Sequence, residues 1–166
     1  CLFIRSRAEN GLAFSHSRYE VLISKIEEAA GDGIDINFSQ GNISGLEVLK
    51  CGKDGLEISG GSATLYNITI EGARETGINV NRKAKVTAGT IRVKSGKKGV
   101  SGSGESILKI ATLVLEDILQ GIVVFRQQSM YQGAQVEVDA LEQTGVEQPE
   151  VVEAGSKLRL ADRWIE

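Results

Sequence analysis

The sequence predicts an all-β fold, a parallel β-helix (solenoid) of about seven 22-residue coils, and three observations carry that prediction. Glycines stand at Gly11, Gly33, Gly55, Gly77, Gly99 and Gly121, each 22 residues after the last, and Gly145 follows after 24, which predicts a two-residue insertion near Gln132–Gln143. The residue after each glycine is a branched aliphatic: Leu12, Ile34, Leu56, Ile78, Val100, Ile122 and Val146. With 41% hydrophobic residues, chance agreement in all seven would be about two in a thousand. A second alternating stretch then recurs within the units, with no helical period anywhere.

Each element follows from these columns. Beyond the glycine the unit reads Gly-φ-x-φ, as in Phe14, Ile36, Ile58, Val80 and Val124, and alternation of this kind is a strand. Ser15, Asn37, Ser59, Asn81 and Ser103 come next, short polar side chains suited to a corner, where they bond one another and turn backbone. Asn10, Asp32 and Asp54 precede the glycine as turn residues, and the glycine itself suits a tight corner. The second stretch is Leu2-x-Ile4, Leu46-x-Val48, Ile68-x-Ile70, Ile91-x-Val93, Leu113-x-Leu115, Val136-x-Val138 and Leu158-x-Leu160, with a one-residue slip from Ile91 onward. The first full unit fits worst, offering Val21-Leu22-Ile23 and Ile26. Such a unit cannot bury its apolar face alone, but stacked on copies of itself it can. The chain therefore reads as a single domain over 1–166, its last coil, 146–166, irregular and serving as a C-terminal cap: Gln148 and Pro149 break the strand, and Trp164 covers the final coil. The start at Cys1-Leu2-Phe3-Ile4, in mid-element, leads us to expect a piece of a longer protein with coils or a domain before it.

The repeat, for example Asp54-Gly55-Leu56-Glu57-Ile58-Ser59 followed by Asn67-Ile68-Thr69-Ile70, resembles the right-handed parallel β-helix of the pectate-lyase-like superfamily. That resemblance spans nearly the whole chain. It implies a right-handed coil and a secreted or cell-envelope, bacterial-type setting, and it leaves function open, because the superfamily holds lyases, hydrolases, epimerases, tailspikes and structural stalks.

Composition narrows the classes. Net charge is −3, with 19 basic and 22 acidic residues, so no global bias toward nucleic acid exists. No apolar run has the roughly 20 residues of a membrane span. Cys1 and Cys51 fall about two coils apart, beyond bridging distance, and Cys51 shares a small-residue column with Ala29, Ala73 and Ser95. His16, the only histidine, has no second ligand in sequence reach, and no nucleophile triad, phosphate loop or zinc spacing is present.

Two constellations remain. Asp35 and Glu57 occupy one outward column, followed by Asn79; two carboxylates one strand spacing apart repel unless a cation or proton intervenes, which makes them candidate calcium ligands. The resemblance points the same way, since lyases of this fold hold calcium with carboxylates outside one sheet. Between Arg82 and Lys98 lie seven basic residues and no acid: Arg82, Lys83, Lys85, Arg92, Lys94, Lys97 and Lys98. This belt would attract anionic glycans. It carries no Phe, Tyr or Trp between Tyr66 and Phe125, so it lacks base-stacking platforms for nucleic acid. The expected function is a non-catalytic structural or glycan-facing module without a cofactor. The alternatives are a calcium-dependent polysaccharide lyase with Arg92 or Lys94 as base and no assigned catalytic set beyond them, and a self-assembling scaffold. Nearly loop-free repeats rank the lyase second, because enzymes of this superfamily build clefts from long loops.

Overall fold

The computed structural model describes residues 2–5 (as backbone), 9–126 and 132–166; Cys1 lies outside them. Every regular element among the described residues is a strand: β1 (Leu2–Arg5), β2 (Leu12–Ser15), β3 (Arg18–Glu27), β4 (Ile34–Leu49), β5 (Leu56–Glu71), β6 (Thr76–Asn81), β7 (Lys85–Gly102), β8 (Ile107–Val124), β9 (Gln135–Thr144), β10 (Gln148–Val152), β11 (Lys157–Leu160) and β12 (Arg163–Ile165). They wind into a parallel β-helix of about seven turns.

Three ladders run along the stack. The first pairs Leu12 with Ile34, Ile34 with Leu56, Leu56 with Ile78 and Ile78 with Val100. A middle ladder pairs Val21 with Ile43, Ile43 with Leu65, Leu65 with Ala88 and Ala88 with Ile110. The third pairs Ile26 with Val48, Val48 with Ile70, Ile70 with Val93 and Val93 with Leu115. Val136, Val138, Leu158 and Leu160, expected in the second alternating stretch, belong to the middle ladder. All three ladders turn their alternate aliphatics inward, and Ile36, Ile43, Val48, Ile58, Leu65 and Ile70 are each 0% exposed. In the worst-fitting unit, Val21 and Ile26 are buried while Leu22 and Ile23 are 54% and 68% exposed at a corner.

The glycine column has a different cause from the expected one. Gly33 and Gly55 do not carry positive φ; a Cβ on Gly33 would meet Gly55 O at 2.4 Å and Val48 Cγ1 at 2.6 Å, and one on Gly55 would meet Ile70 Cγ2 at 2.5 Å. They are glycine because the next coil's backbone and a third-ladder side chain fill the space. The corners themselves are turned by residues in the left-handed region, among them His16 (φ 51°), Phe38 (φ 46°) and Lys50 (φ 57°).

Two register changes correct the sequence reading. The slip at Ile91 is one extra residue, since Ser62 pairs with Lys85, 23 positions on, and it is absorbed at the Arg82-Lys83 turn, where both φ values are positive. The later insertion is six residues, not two: Ile107 pairs with Gln135 and Gln120 with Gln148, 28 positions on. Its place is between Val124 and Gln135, and it partly lies outside the described residues. Gly145 consequently leaves the glycine column and sits at a third-ladder corner with φ 65°, against Asp117. Nor does Pro149 end a strand. It lies inside β10, which pairs with β8 alone, so its missing N–H falls on a sheet edge. β11 ends the parallel stack and pairs antiparallel with β12, where Trp164, 48% exposed, lies opposite Arg159.

Candidate functional site on the first ladder

The 22-residue period stacks polar side chains as faithfully as apolar ones. Four columns meet on the first ladder of the coils led by Gly11, Gly33, Gly55 and Gly77. Just before the glycine, Asn10 Oδ1 accepts the Asp32 backbone N–H (3.0 Å) and Asp32 Oδ1 accepts the Asp54 N–H (3.0 Å). On the strand, Asp35, Glu57 and Asn79 are in register. At its end come Asn37, Ser59 and Asn81, and beyond them the corner residues Phe38, Gly60 and Arg82.

These columns bond to one another diagonally. Asn79 Nδ2 donates to Asp54 Oδ2 (2.8 Å), and Asn81 Nδ2 donates to Glu57 Oε1 (3.1 Å). Asp35 accepts Asn37 Nδ2 at Oδ1 (2.7 Å) and Asn10 Nδ2 at Oδ2 (3.2 Å). The polar corner column therefore bonds the outward acids, not only turn backbone. Carboxylate oxygens of Asp32, Asp54 and Glu57 all lie within 4.8 Å of one another. Asp32 and Asp54 are each 5% exposed, and Asp54 Oδ1 is buried without a hydrogen-bond partner. Burial pushes the pKa of Asp32, Asp35, Asp54 and Glu57 upward, and repulsion adds to it, from Glu75 and Glu9 at Asp32 and from members of the group at the other three.

Asp35 and Glu57 are thus adjacent as the sequence predicts, but Glu57 gathers with Asp32 and Asp54 while Asp35 is held by two amides. Asp32 and Asp54, read from sequence as turn residues, complete the cluster. Their signal was the period combined with an offset of three, Asp32–Asp35 and Asp54–Glu57. Beside the cluster, Asp35, Asn37, Glu57, Ser59, Asn81 and Arg82 line an open trough of about 260 Å³.

The basic belt is spread over three faces. Arg82 and Lys83 form the turn after β6, Lys85 starts the middle ladder, Arg92 and Lys94 stand on the third, and Lys97 and Lys98 precede the first. Arg82 alone reaches the trough. Lys83 pairs with Glu105 (3.3 Å), Lys94 with Glu116 (3.5 Å), and Lys98 Nζ lies 5.9 Å from the Phe125 ring centroid. Arg92 and Lys94 line a separate hollow with Thr69, Glu71, Val114 and Glu116. His16 contacts Ser15 Oγ (2.9 Å) and stacks on Phe38. Cys51 is a buried free thiol whose pKa burial raises to about 11, an inert state for a sulfur nucleophile.

A family model for the right handed beta helix region matches residues 10–146. The chain belongs to that family. The right-handed β-helix expected from the resemblance is therefore its fold. No curated protein and no solved structure matches the chain. The family, like the fold, fixes architecture and leaves chemistry to the site.

Proposed function

We propose that this right-handed β-helix is a non-catalytic module that faces carbohydrate through the first-ladder trough. The observation that carries the reading is the trough's lining: the acceptors Asp35 and Glu57, the amides Asn37 and Asn81, the hydroxyl Ser59 and the guanidinium Arg82, on one rigid face. Vicinal sugar hydroxyls both donate and accept, and such a mixture meets them; Arg82 adds a bidentate donor for a uronate carboxylate. Rigid ladders fix the groups in advance, which lowers the ordering cost of binding. Lyase chemistry receives less support. Its candidate bases Arg92 and Lys94 stand on another ladder from Asp35 and Glu57, and Lys94 is already paired with Glu116.

Calorimetric titration with neutral and uronate-containing oligosaccharides tests the proposal. Binding should weaken at least tenfold in Arg82→Ala combined with Asn37→Ala, and stay unchanged in Arg92→Ala with Lys94→Ala. Unsaturated products at the ultraviolet double-bond band would restore the lyase reading, and absence of any binding would end the carbohydrate one.

A further inference from the structure

We propose that Asp32, Asp54 and Glu57 hold a calcium ion that staples the coils led by Gly33 and Gly55. The site shares Glu57 with the outward pair and with the trough, but it is built on Asp32 and Asp54, does not rest on the carbohydrate reading, and acts on folding. Three carboxylate oxygens lie within 4.8 Å of one another, and two of their side chains are 5% exposed. Three negative charges so close and so sheltered from water require a proton or a cation.

Among the described residues, no lysine or arginine bonds any of the three; the nearby Lys53 is engaged with Glu9 (3.4 Å). Elsewhere the molecule treats a buried carboxylate differently. Glu137, 8% exposed, receives Arg159 (2.7 Å) and Lys109 (3.1 Å). Asp54 has an amide, the Thr76 hydroxyl and other acids around it, and no base. Its Oδ2 is held by Asn79, and its Oδ1 is buried without a hydrogen-bond partner. An orphaned buried acceptor of this kind marks a missing donor or ion.

The donor set selects the ion. All ligands are hard oxygens, with no nitrogen or sulfur among them. Oxygens on opposite sides of a calcium ion, at about 2.3–2.6 Å each, are about 4.6–5.2 Å apart, whereas magnesium draws them to about 4.0–4.2 Å in a strict octahedron. Three carboxylates gathered within 4.8 Å suit calcium, because magnesium keeps several waters and takes only one or two carboxylates. Calcium would link successive coils where their acids otherwise push them apart.

The experiment uses the whole chain, stripped with chelator and then melted with calcium, magnesium or sodium. Calcium at a hundredfold excess over its dissociation constant should raise Tm by about 5–10 °C, magnesium by less, and sodium negligibly. Asp54→Asn should abolish the calcium shift, and Asp35→Asn should retain most of it. An unchanged melting point with calcium in the native chain, or an equal shift in Asp54→Asn, overturns the proposal. Should Asp54→Asn fail to fold, Glu57→Gln decides: a native-sized calcium shift there overturns it equally. Because no saccharide is present, a failure here leaves the carbohydrate reading standing, and the reverse also holds.

Discussion

Glu137 and Asp54 are both buried acids on a strand ladder, and the molecule resolves them in opposite ways. Glu137 sits where Lys109, one coil before, and Arg159, one coil after, reach it. Burial opposes its charge, but bonds from Arg159, Lys109 and Gln135 outweigh that and hold its pKa below the ordinary value. Asp54 sits between Asp32 and Thr76 in its own column, so stacking brings it a second acid instead of a base. Burial then dominates and raises its pKa, with Asn79 and Thr76 opposing. The same solenoid geometry thus stabilises one charge and destabilises the other, and the column's neighbours decide which.

The contrast predicts opposite signs. Glu137→Gln removes an acceptor bonded by two cations and leaves Arg159 short of a partner; Tm should fall by about 3–8 °C. A melting point within a degree of native would show that Glu137 is merely a solvated acid. Asp54→Asn in chelated protein should act the other way and raise Tm by about 2–5 °C, since it deletes repulsion while keeping a side chain of the same shape. Destabilisation there would break the comparison.

A third expectation concerns pH. Asp32, Asp35 and Asp54 titrate ordinarily at 3.8 and Glu57 at 4.5, and all four are raised in the folded chain. Their folded forms bind protons more tightly than the unfolded chain does. Stability from this group is therefore full below those values and is lost as pH rises through the raised ones. Glu9, Glu75 and Lys53 also face the cluster, the two acids adding to the rise and the lysine opposing it. Glu137 runs the opposite way, its contribution full above 4.5 and lost as pH falls. Chelated protein should thus lose Tm as pH rises above the ordinary carboxylate values of 3.8 and 4.5, and Asp54→Asn should flatten that slope. The smallest effect belongs to the basic coil: Lys94→Gln disturbs an exposed pair with Glu116 and should change stability by less than about 0.5 kcal/mol, as denaturant titration would measure.

Much of this was legible before any coordinates. A period of 22 locates every coil from Gly11 to Gly121 because each coil repeats the same inward aliphatics, and the outward register of Asp35, Glu57 and Asn79 follows from alternation alone. What escaped was whatever depends on coil length changing. A six-residue insertion put Pro149 in the glycine column, and Gly145, a corner glycine near the expected spacing, concealed it. Asp32 and Asp54 escaped for another reason. Aspartate before glycine is so common in turns that its local explanation sufficed, although the two stood one period apart.

The sequence by itself determined the architecture, since in a solenoid each residue's neighbours are those one period away, and a periodic pattern is a contact map. Tertiary structure alone decided how many ladders a coil has, why the glycines are glycine, and which acids converge. Those depend on where the corners bend and how far a side chain reaches across to the next coil. Gly33 shows the difference: the repeat marks it as necessary, but only the Gly55 carbonyl and Val48 lying against it say why.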